Sequence, residues 1–304
     1  MEILMKILVI GGSYFLGRVF LIQAAKLHDI TVINRGTYSV EELGVRQIKG
    51  DRKNAFIWQE FTNDYDVIID FCAYEQNDIA TVLQNLGGNV KQYIFISTVD
   101  VYQRGLGQIK DETAPLEKNF LSGSAGDYIR GKVLLEQELI SECSKKDIAY
   151  TILRPSIIYG PFNYAPRESA FIQLAVQNHI LLHITDAEGK FQFVYVKDVA
   201  NAIISCLLNE NTYQKAYNLC DDTIADYHRV FTELQKVIDV PVKEILLTAS
   251  EALEKNAPLP FPITAAETEL YTNKKSITEL GINYTPFSEG IQKTYNAFKN
   301  VFQI

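Results

Sequence analysis

The chain has 304 residues, 47% of them hydrophobic and 22% charged, with a formal net charge of −8 at pH 7. That length carries one large α/β domain or two lobes around a sizeable core, and the acidic balance argues against a nucleic-acid partner, which needs a basic face to neutralise phosphates. The four cysteines (Cys72, Cys143, Cys206, Cys220) are scattered with no C-x-x-C pair and the four histidines lack ligand spacing, which points to a reducing compartment and no metal.

The first apolar run, residues 6–10, stops at Gly11 and Gly12, and a third glycine, Gly17, opens an amphipathic segment over 15–27. This run is too short for a signal peptide and no later run reaches membrane-span length, so a cytoplasmic location with no membrane partner is expected. Strand, tight turn and helix start form the arrangement that lays a pyrophosphate on exposed backbone N–H groups. Glycine serves where the turn needs unusual φ and where a side chain would block the phosphates. The spacing G-x-G-x-x-G is absent; Ser13, Tyr14, Phe15 and Leu16 separate Gly12 from Gly17. A glycine turn after an N-terminal strand also occurs with no ligand, so the motif needs support from elsewhere.

Further short, β-branched runs at 30–33, 45–48, 65–70, 93–97 and 149–153 alternate with helical patterns at 53–61, 76–86 and 127–143. Alternation of this kind predicts an α/β, doubly wound parallel sheet of Rossmann-like form, with helices on both faces. Near-continuous apolar strands such as Val67-Ile68-Ile69 fit burial on both sides. After Pro155 the regularity breaks, and Pro161, Pro166 and a polar, aromatic stretch to Lys190 read as a smaller region. A strand at 193–196 and a helix at 199–208 are expected to return to the sheet. The remainder, with Pro258, Pro260 and Pro262 and two or three amphipathic helices, is expected to form a second lobe. The predicted organisation is therefore 1–162 with 191–215 as a dinucleotide-binding domain, and 163–190 with 216–304 as a smaller, discontinuous substrate lobe.

Within the 127–143 helix, Tyr128 and Lys132 lie four residues apart and share a face, so phenol and ammonium point into one cleft. The ammonium favours phenolate, lowering the tyrosine pKa toward the working range, and such a tyrosine can donate or accept a proton at a carbonyl or hydroxyl. With seventeen tyrosines in the chain one such pair arises by chance, and Tyr271 with Lys275 is a second. Position distinguishes them. Ser97 and Thr98 end the fifth strand at the carboxyl edge, where open α/β sheets bind ligands, and Tyr128 follows on the helix before the sixth strand.

Glycine turn, strand-end hydroxyl, then tyrosine and lysine is an order that resembles the short-chain dehydrogenase/reductase superfamily, and more narrowly its extended branch, the NAD-dependent epimerase/dehydratase family. Leu153-Arg154-Pro155 with Tyr159-Gly160-Pro161 is similar to that family's segment after the sixth strand, and Phe193 to Ala200 to its later strand-to-helix signature. Residues 216–219 match the strand that follows. The turn itself is similar to an atypical subgroup with an altered glycine motif. The resemblance covers roughly residues 5 to 220.

By that resemblance, Tyr128 is the general acid/base, Lys132 lowers its pKa and holds the nicotinamide ribose, and Thr98, with Ser97 as the alternative, hydrogen-bonds the reacting oxygen. The cofactor is NADP or NAD. Asn34-Arg35 replaces the acidic residue that would favour NAD, and a guanidinium suits a 2′-phosphate, which favours NADP; a solvated arginine in a turn is the plain alternative. Asp51, beside Arg52, stands where the family touches adenine, though Gly50-Asp51 also suits a turn. Cys72, Ala73 and Pro155 are expected along the cofactor. Val99 follows Thr98 where the 4,6-dehydratases carry an acid, which argues against that elimination. Ile157 and Phe191 replace an asparagine and a diphosphate-binding arginine of sugar-nucleotide enzymes, with Lys190 either a substitute point charge or a surface lysine at a Gly-Lys turn; a diphosphate held by Lys190 or Arg167 would restore the sugar-nucleotide reading, and Tyr195 keeps the family's pattern. The expected activity is hydride transfer at a hydroxyl or ketone of a small molecule, a sugar or sugar-nucleotide-like compound. The alternatives are an NADPH-dependent reductase of a non-nucleotide ketone, or a cofactor-binding or RNA-associated protein without turnover. A homodimer through the Tyr-x-x-x-Lys helix is also implied.

Overall fold

The computed structural model describes residues 4–105 and 107–302. In chain order the elements are β1 (Lys6–Ile10), α1 (Phe15–Ala24), β2 (Asp29–Asn34), β3 (Arg46–Lys49), α2 (Ala55–Trp58), β4 (Tyr65–Asp70), α3 (Asp78–Asn85), β5 (Val90–Ile96), α4 (Ser124–Lys146), β6 (Ala149–Pro155) and β7 (Ile157–Tyr159). Then follow α5 (Glu168–Asn178), β8 (Ile180–Ile184), β9 (Phe191–Tyr195), α6 (Val196–Cys206), β10 (Lys215–Leu219), β11 (Ile224–Ala225), α7 (Tyr227–Val237), β12 (Lys243–Leu247), α8 (Ala249–Glu254), α9 (Lys274–Leu280) and α10 (Phe287–Phe302).

Seven strands form one sheet in the order β10-β6-β5-β4-β1-β2-β3, every neighbouring pair parallel. The two-residue period of β1 divides the core. Ile7 and Val9 pack with Phe20 and Leu21 of α1 on one face, while Leu8 and Ile10 pack with Ile79 of α3 and Leu135 of α4 on the other. The chain leaves β1 toward β2 on one side, and β4 lies on the other, so the strand order reverses there and opens a crevice at the carboxyl edge. Register places Ile10 opposite both Ile33 and Asp70, and Ile96 opposite Leu153. The residues that follow these positions therefore emerge along one line.

Several expectations need correction. Strand β9 does not return to the large sheet; it pairs with β7 and β11 in a separate three-stranded sheet, and only α6 comes back, packing on α1. Residues 216–219 lie in β10 against β6 and so belong to the large sheet instead of the second lobe. The helix expected at 53–61 is reduced to α2, whose start is capped by Asn54 accepting from Phe56 N–H at 3.1 Å. The parallel pair β8–β12 went unpredicted because its strands are about sixty residues apart in the chain, with β9, α6, β10, β11 and α7 between them. Among the described residues no helix is long and apolar enough to cross a membrane.

The glycine turn is held by contact at backbone distance. Gly11 and Gly12 have φ of +86° and +75°, and a Cβ on Gly17 would stand 2.2 Å from Gly12 Cα. Gly17→Ala is therefore expected to cost about 1–3 kcal/mol through overpacking, read as a lower urea midpoint at unchanged slope.

Candidate active site

A cleft of about 1050 Å³ runs along the carboxyl edge of the sheet from the glycine turn to the second lobe. The turn from Gly11 to Gly17 (Gly11, Gly12, Ser13, Tyr14, Phe15, Leu16, Gly17) lines one end, together with Asn34, Arg35, Asp51 and Arg52. Cys72, Ser97, Thr98, Tyr128, Lys132 and Pro155 line its middle. Of the residues expected there only Ala73 is absent from the wall; it is fully buried and contributes its carbonyl to Lys132 from behind.

Lys132 is 2% exposed, and its ammonium donates to Ala73 O at 2.9 Å and Ile96 O at 2.8 Å. Burial lowers its pKa to about 8. The Nζ atom lies 5.9 Å from the centre of the Tyr128 ring. The Tyr128 phenol lies above its ordinary value, pushed up by desolvation of its polar end, although 39% of the residue is exposed, and then by Asp100, with Arg167 pulling the other way. This corrects the expectation that Lys132 depresses it. The ammonium is turned to two carbonyls, and the phenol keeps its proton at neutral pH.

The strand-end hydroxyls separate by direction. Ser97 Oγ donates inward to Glu136 Oε1 at 2.6 Å, and Glu136 is held by Arg154 through bonds of 2.9 and 2.6 Å. Arg154 also donates to the Tyr102 hydroxyl at 2.8 Å, which itself donates to Asn218 at 2.7 Å. Thr98 Oγ1 accepts from Asp100 N–H at 3.2 Å and donates to Asp100 Oδ2 at 3.2 Å, and Thr98 lines the cleft together with Tyr128. Thr98 is thus the hydroxyl presented beside Tyr128.

The Arg52 guanidinium is engaged through Nη1 and Nη2, while its buried Nε has no hydrogen-bond partner. It donates to Asp70 at 2.7 and 2.8 Å and to Asp78 O at 2.8 Å, while Asp70 also accepts from Tyr93 at 2.6 Å and Cys72 N–H at 3.0 Å. Burial raises the Asp70 pKa, but Arg52 more than offsets this and holds the carboxyl below its ordinary range. Arg52 therefore fixes the cleft wall between the third and fourth strands and is a positioning residue. The Cys72 thiol is pushed up to about 11 by burial and by Asp70, which makes it an inert filler. Asp51 Oδ1 accepts from Lys53 N–H at 2.9 Å, the turn chemistry allowed by its sequence. Two further residues were not foreseen. Tyr74 stands with its ring centre 4.8 Å from Lys132 Nζ, and Tyr164 sits with its ring 5.6 Å from Tyr14. Neither lies in a periodic segment, so only the fold brings them to the cleft. Tyr14 leans on Tyr38 and Tyr164. Lys190, a substitute charge in the sequence reading, is ion-paired with Asp226.

The sheet end of the cleft suits a dinucleotide on two observations. A Cβ at Gly17 would displace the turn, and Tyr14 supplies no side-chain cap, so the first-turn N–H groups of α1 meet the cleft uncapped. Asn34 Oδ1 holds Gly36 N–H and Gln47 Nε2, each at 2.8 Å, while its buried Nδ2 has no hydrogen-bond partner.

Over residues 7–220 the sequence matches the NAD dependent epimerase/dehydratase family, and the chain belongs to that family, which implies a nicotinamide cofactor. Among curated proteins it is 26% identical over 260 residues to a chloroplast stem-loop binding protein of 41 kDa from Arabidopsis thaliana, covering 79% of this chain and 65% of that protein. It is 24% identical to cinnamoyl-CoA reductase 1 of Petunia hybrida, covering 69% of this chain and 60% of the reductase. The chain thus spans less than two thirds of the length of these relatives. UDP-glucose 4-epimerase from Thermotoga maritima, solved with UDP-glucose, superposes with a TM-score of 0.78 at 17% identity, covering 98% and 99% of the two chains. That likeness shows a shared fold.

Lys132 yields a pH prediction. Its folded pKa of about 8 lies below the unfolded value of about 10.4, so the unfolded chain binds the proton more tightly. The cost of its buried charge is fully present below pH 8 and is relieved as pH rises through 8 toward 10.4. In carbon-13 NMR of labelled lysine, one ε-carbon is expected to titrate near pH 8 and to vanish in Lys132→Met; a midpoint above 10 would refute the assignment.

Proposed function

We propose that this chain is an enzyme that catalyses nicotinamide-dependent hydride transfer at a hydroxyl-bearing or carbonyl carbon of a sugar. The observation that carries the reading is the convergence of Thr98, Tyr128 and Lys132 on one cleft whose far end is the glycine turn. In this reading the α1 N-terminus and the glycine turn hold the pyrophosphate, Asn34 Nδ2 and Arg35 take the adenosine ribose and its 2′-phosphate, and Lys132 faces the second ribose. When bound, the nicotinamide supplies the hydride acceptor or donor.

The chain's own residues handle the proton. The phenol of Tyr128, protonated at neutral pH, gives its proton to a carbonyl oxygen during reduction and recovers it from a hydroxyl during oxidation. Thr98 fixes that oxygen against the phenol. Its own position is set by the turn it forms with Asp100 and by the preceding Ser97, which Glu136 and Arg154 anchor. Val99 leaves no acid directly after Thr98, so the reading favours oxidoreduction or epimerisation over elimination.

The name of the Arabidopsis relative supports a second reading, an RNA-associated protein without turnover. Retention of the tyrosine and lysine, together with a net charge of −8, favours the enzyme. Cofactor retained at stoichiometric occupancy through purification is expected of an epimerase, and steady consumption of added NADPH of a reductase.

Tyr128→Phe is expected to lower kcat by about 10²-fold or more while the cofactor Kd stays within twofold, measured by turnover and by calorimetry. Unchanged activity would remove Tyr128 from the mechanism. Arg35→Asp is expected to weaken NADPH about tenfold, roughly 1.4 kcal/mol, with a smaller effect on NADH. Equal loss for both cofactors would show that Arg35 does not read the 2′-phosphate.

A further inference from the structure

Beyond Tyr128 the cleft enters the second lobe, where Phe191, Leu259, Pro260, Phe261, Pro262 and Tyr271 form an apolar wall. The Phe191 and Phe261 rings stack at 4.6 Å with an interplanar angle of 20° and are backed by Tyr227 and Phe193. The charged lining at this end is balanced, with Arg104, Arg167 and Lys190 set against Asp100, Glu267 and Glu269.

Most of these charges are already engaged. The Lys190 ammonium is paired with Asp226, and Arg104 lies 3.7 Å from Asp100. Glu269 takes the Lys110 ammonium and Gly105 N–H, while Glu267 accepts from Ile263 and Thr264 N–H at 2.9 and 2.8 Å. Gln192, on the same wall, donates to Asp221 O at 3.0 Å and accepts from Tyr271 N–H at 2.7 Å. Of the three cations, Arg167 alone has no ion pair among the described residues, and its charge acts on the phenol of Tyr128 and the neighbouring Glu168. A diphosphate carries at least two negative charges into a partly desolvated cleft and needs a surplus of free donors to replace its hydration. One unpaired arginine in a cleft also lined by Asp100, Glu267 and Glu269 does not supply that surplus. A neutral ring loses little on desolvation and gains from the apolar wall, while its hydroxyls meet Tyr128 and Thr98.

We propose that the substrate end of this cleft accepts a neutral, unphosphorylated glycoside and discriminates against nucleoside diphosphates. The inference rests on the hydride-transfer reading above and narrows its substrate class. The Lys190–Asp226 pair is the central device, because it cancels the cation that directly precedes Phe191 of the aromatic wall. Asp226 also caps α7 by accepting Arg229 N–H at 2.7 Å, a role asparagine fills equally well.

The test uses the intact protein saturated with NADP⁺, titrated calorimetrically with UDP and, separately, with phenyl β-D-glucopyranoside. The glycoside is expected to bind at least tenfold more tightly than UDP. Asp226→Asn, which keeps the cap and frees Lys190, is expected to raise UDP affinity fivefold or more and leave the glycoside within twofold. Tighter binding of UDP than of the glycoside by the unaltered protein would overturn the proposal, as would an Asp226→Asn variant with no gain for UDP. Failure of NADP⁺ itself to bind would be seen in the preceding titration and would overturn the cofactor reading instead.

Discussion

The first turn of α1 rests on the backbone of Gly12, closer than any side chain allows. This contact sets where the helix begins relative to β1, and so directs uncapped N–H groups into the crevice between β1 and β4. The altered spacing of the glycines changes how many residues bridge the turn, but the requirement for two backbones to touch remains. Tyr14 and Phe15, which fill the enlarged turn, lean toward Tyr164 of the second lobe and so tie the dinucleotide end of the cleft to the substrate end.

Two buried ionic networks give the cleft its walls. Arg52 with Asp70 joins the loop after β3 to the end of β4, and Arg154 with Glu136 joins β6 to α4. Such pairs add little net stability, because desolvation consumes most of the Coulombic gain, yet each is directional and every bond fixes an angle. The second network settles which strand-end hydroxyl is turned inward. Ser97 is turned inward by Glu136, and the chain, alternating sides as it leaves β5, presents Thr98 outward.

The relation between Tyr128 and Lys132 differs from the simple picture of an ammonium acidifying a phenol. The Lys132 ammonium lies 4.8 Å from the ring centres of Tyr74 and Phe95 and gives two of its three N–H groups to the carbonyls of Ala73 and Ile96, at the ends of two adjacent strands. It braces α4 against the sheet while Asp100 and Arg167 set the field at the phenol.

The sequence by itself determined the doubly wound sheet, the glycine turn and the Tyr-x-x-x-Lys pair, because each is local: apolar period, φ demands and helical spacing are properties of neighbouring residues. It misplaced β9 and residues 216–219, and left out β8–β12, because strand partnership is a long-range choice among several similar apolar runs. Likewise Arg52, Ala73 and Ser97 could be put near the cleft from sequence, but only the tertiary structure decided which partners inside the protein engage their polar groups. The partners that turn them, Asp70, Lys132 and Glu136, come from distant segments, and a buried polar group takes whichever partner the packing brings within hydrogen-bond reach.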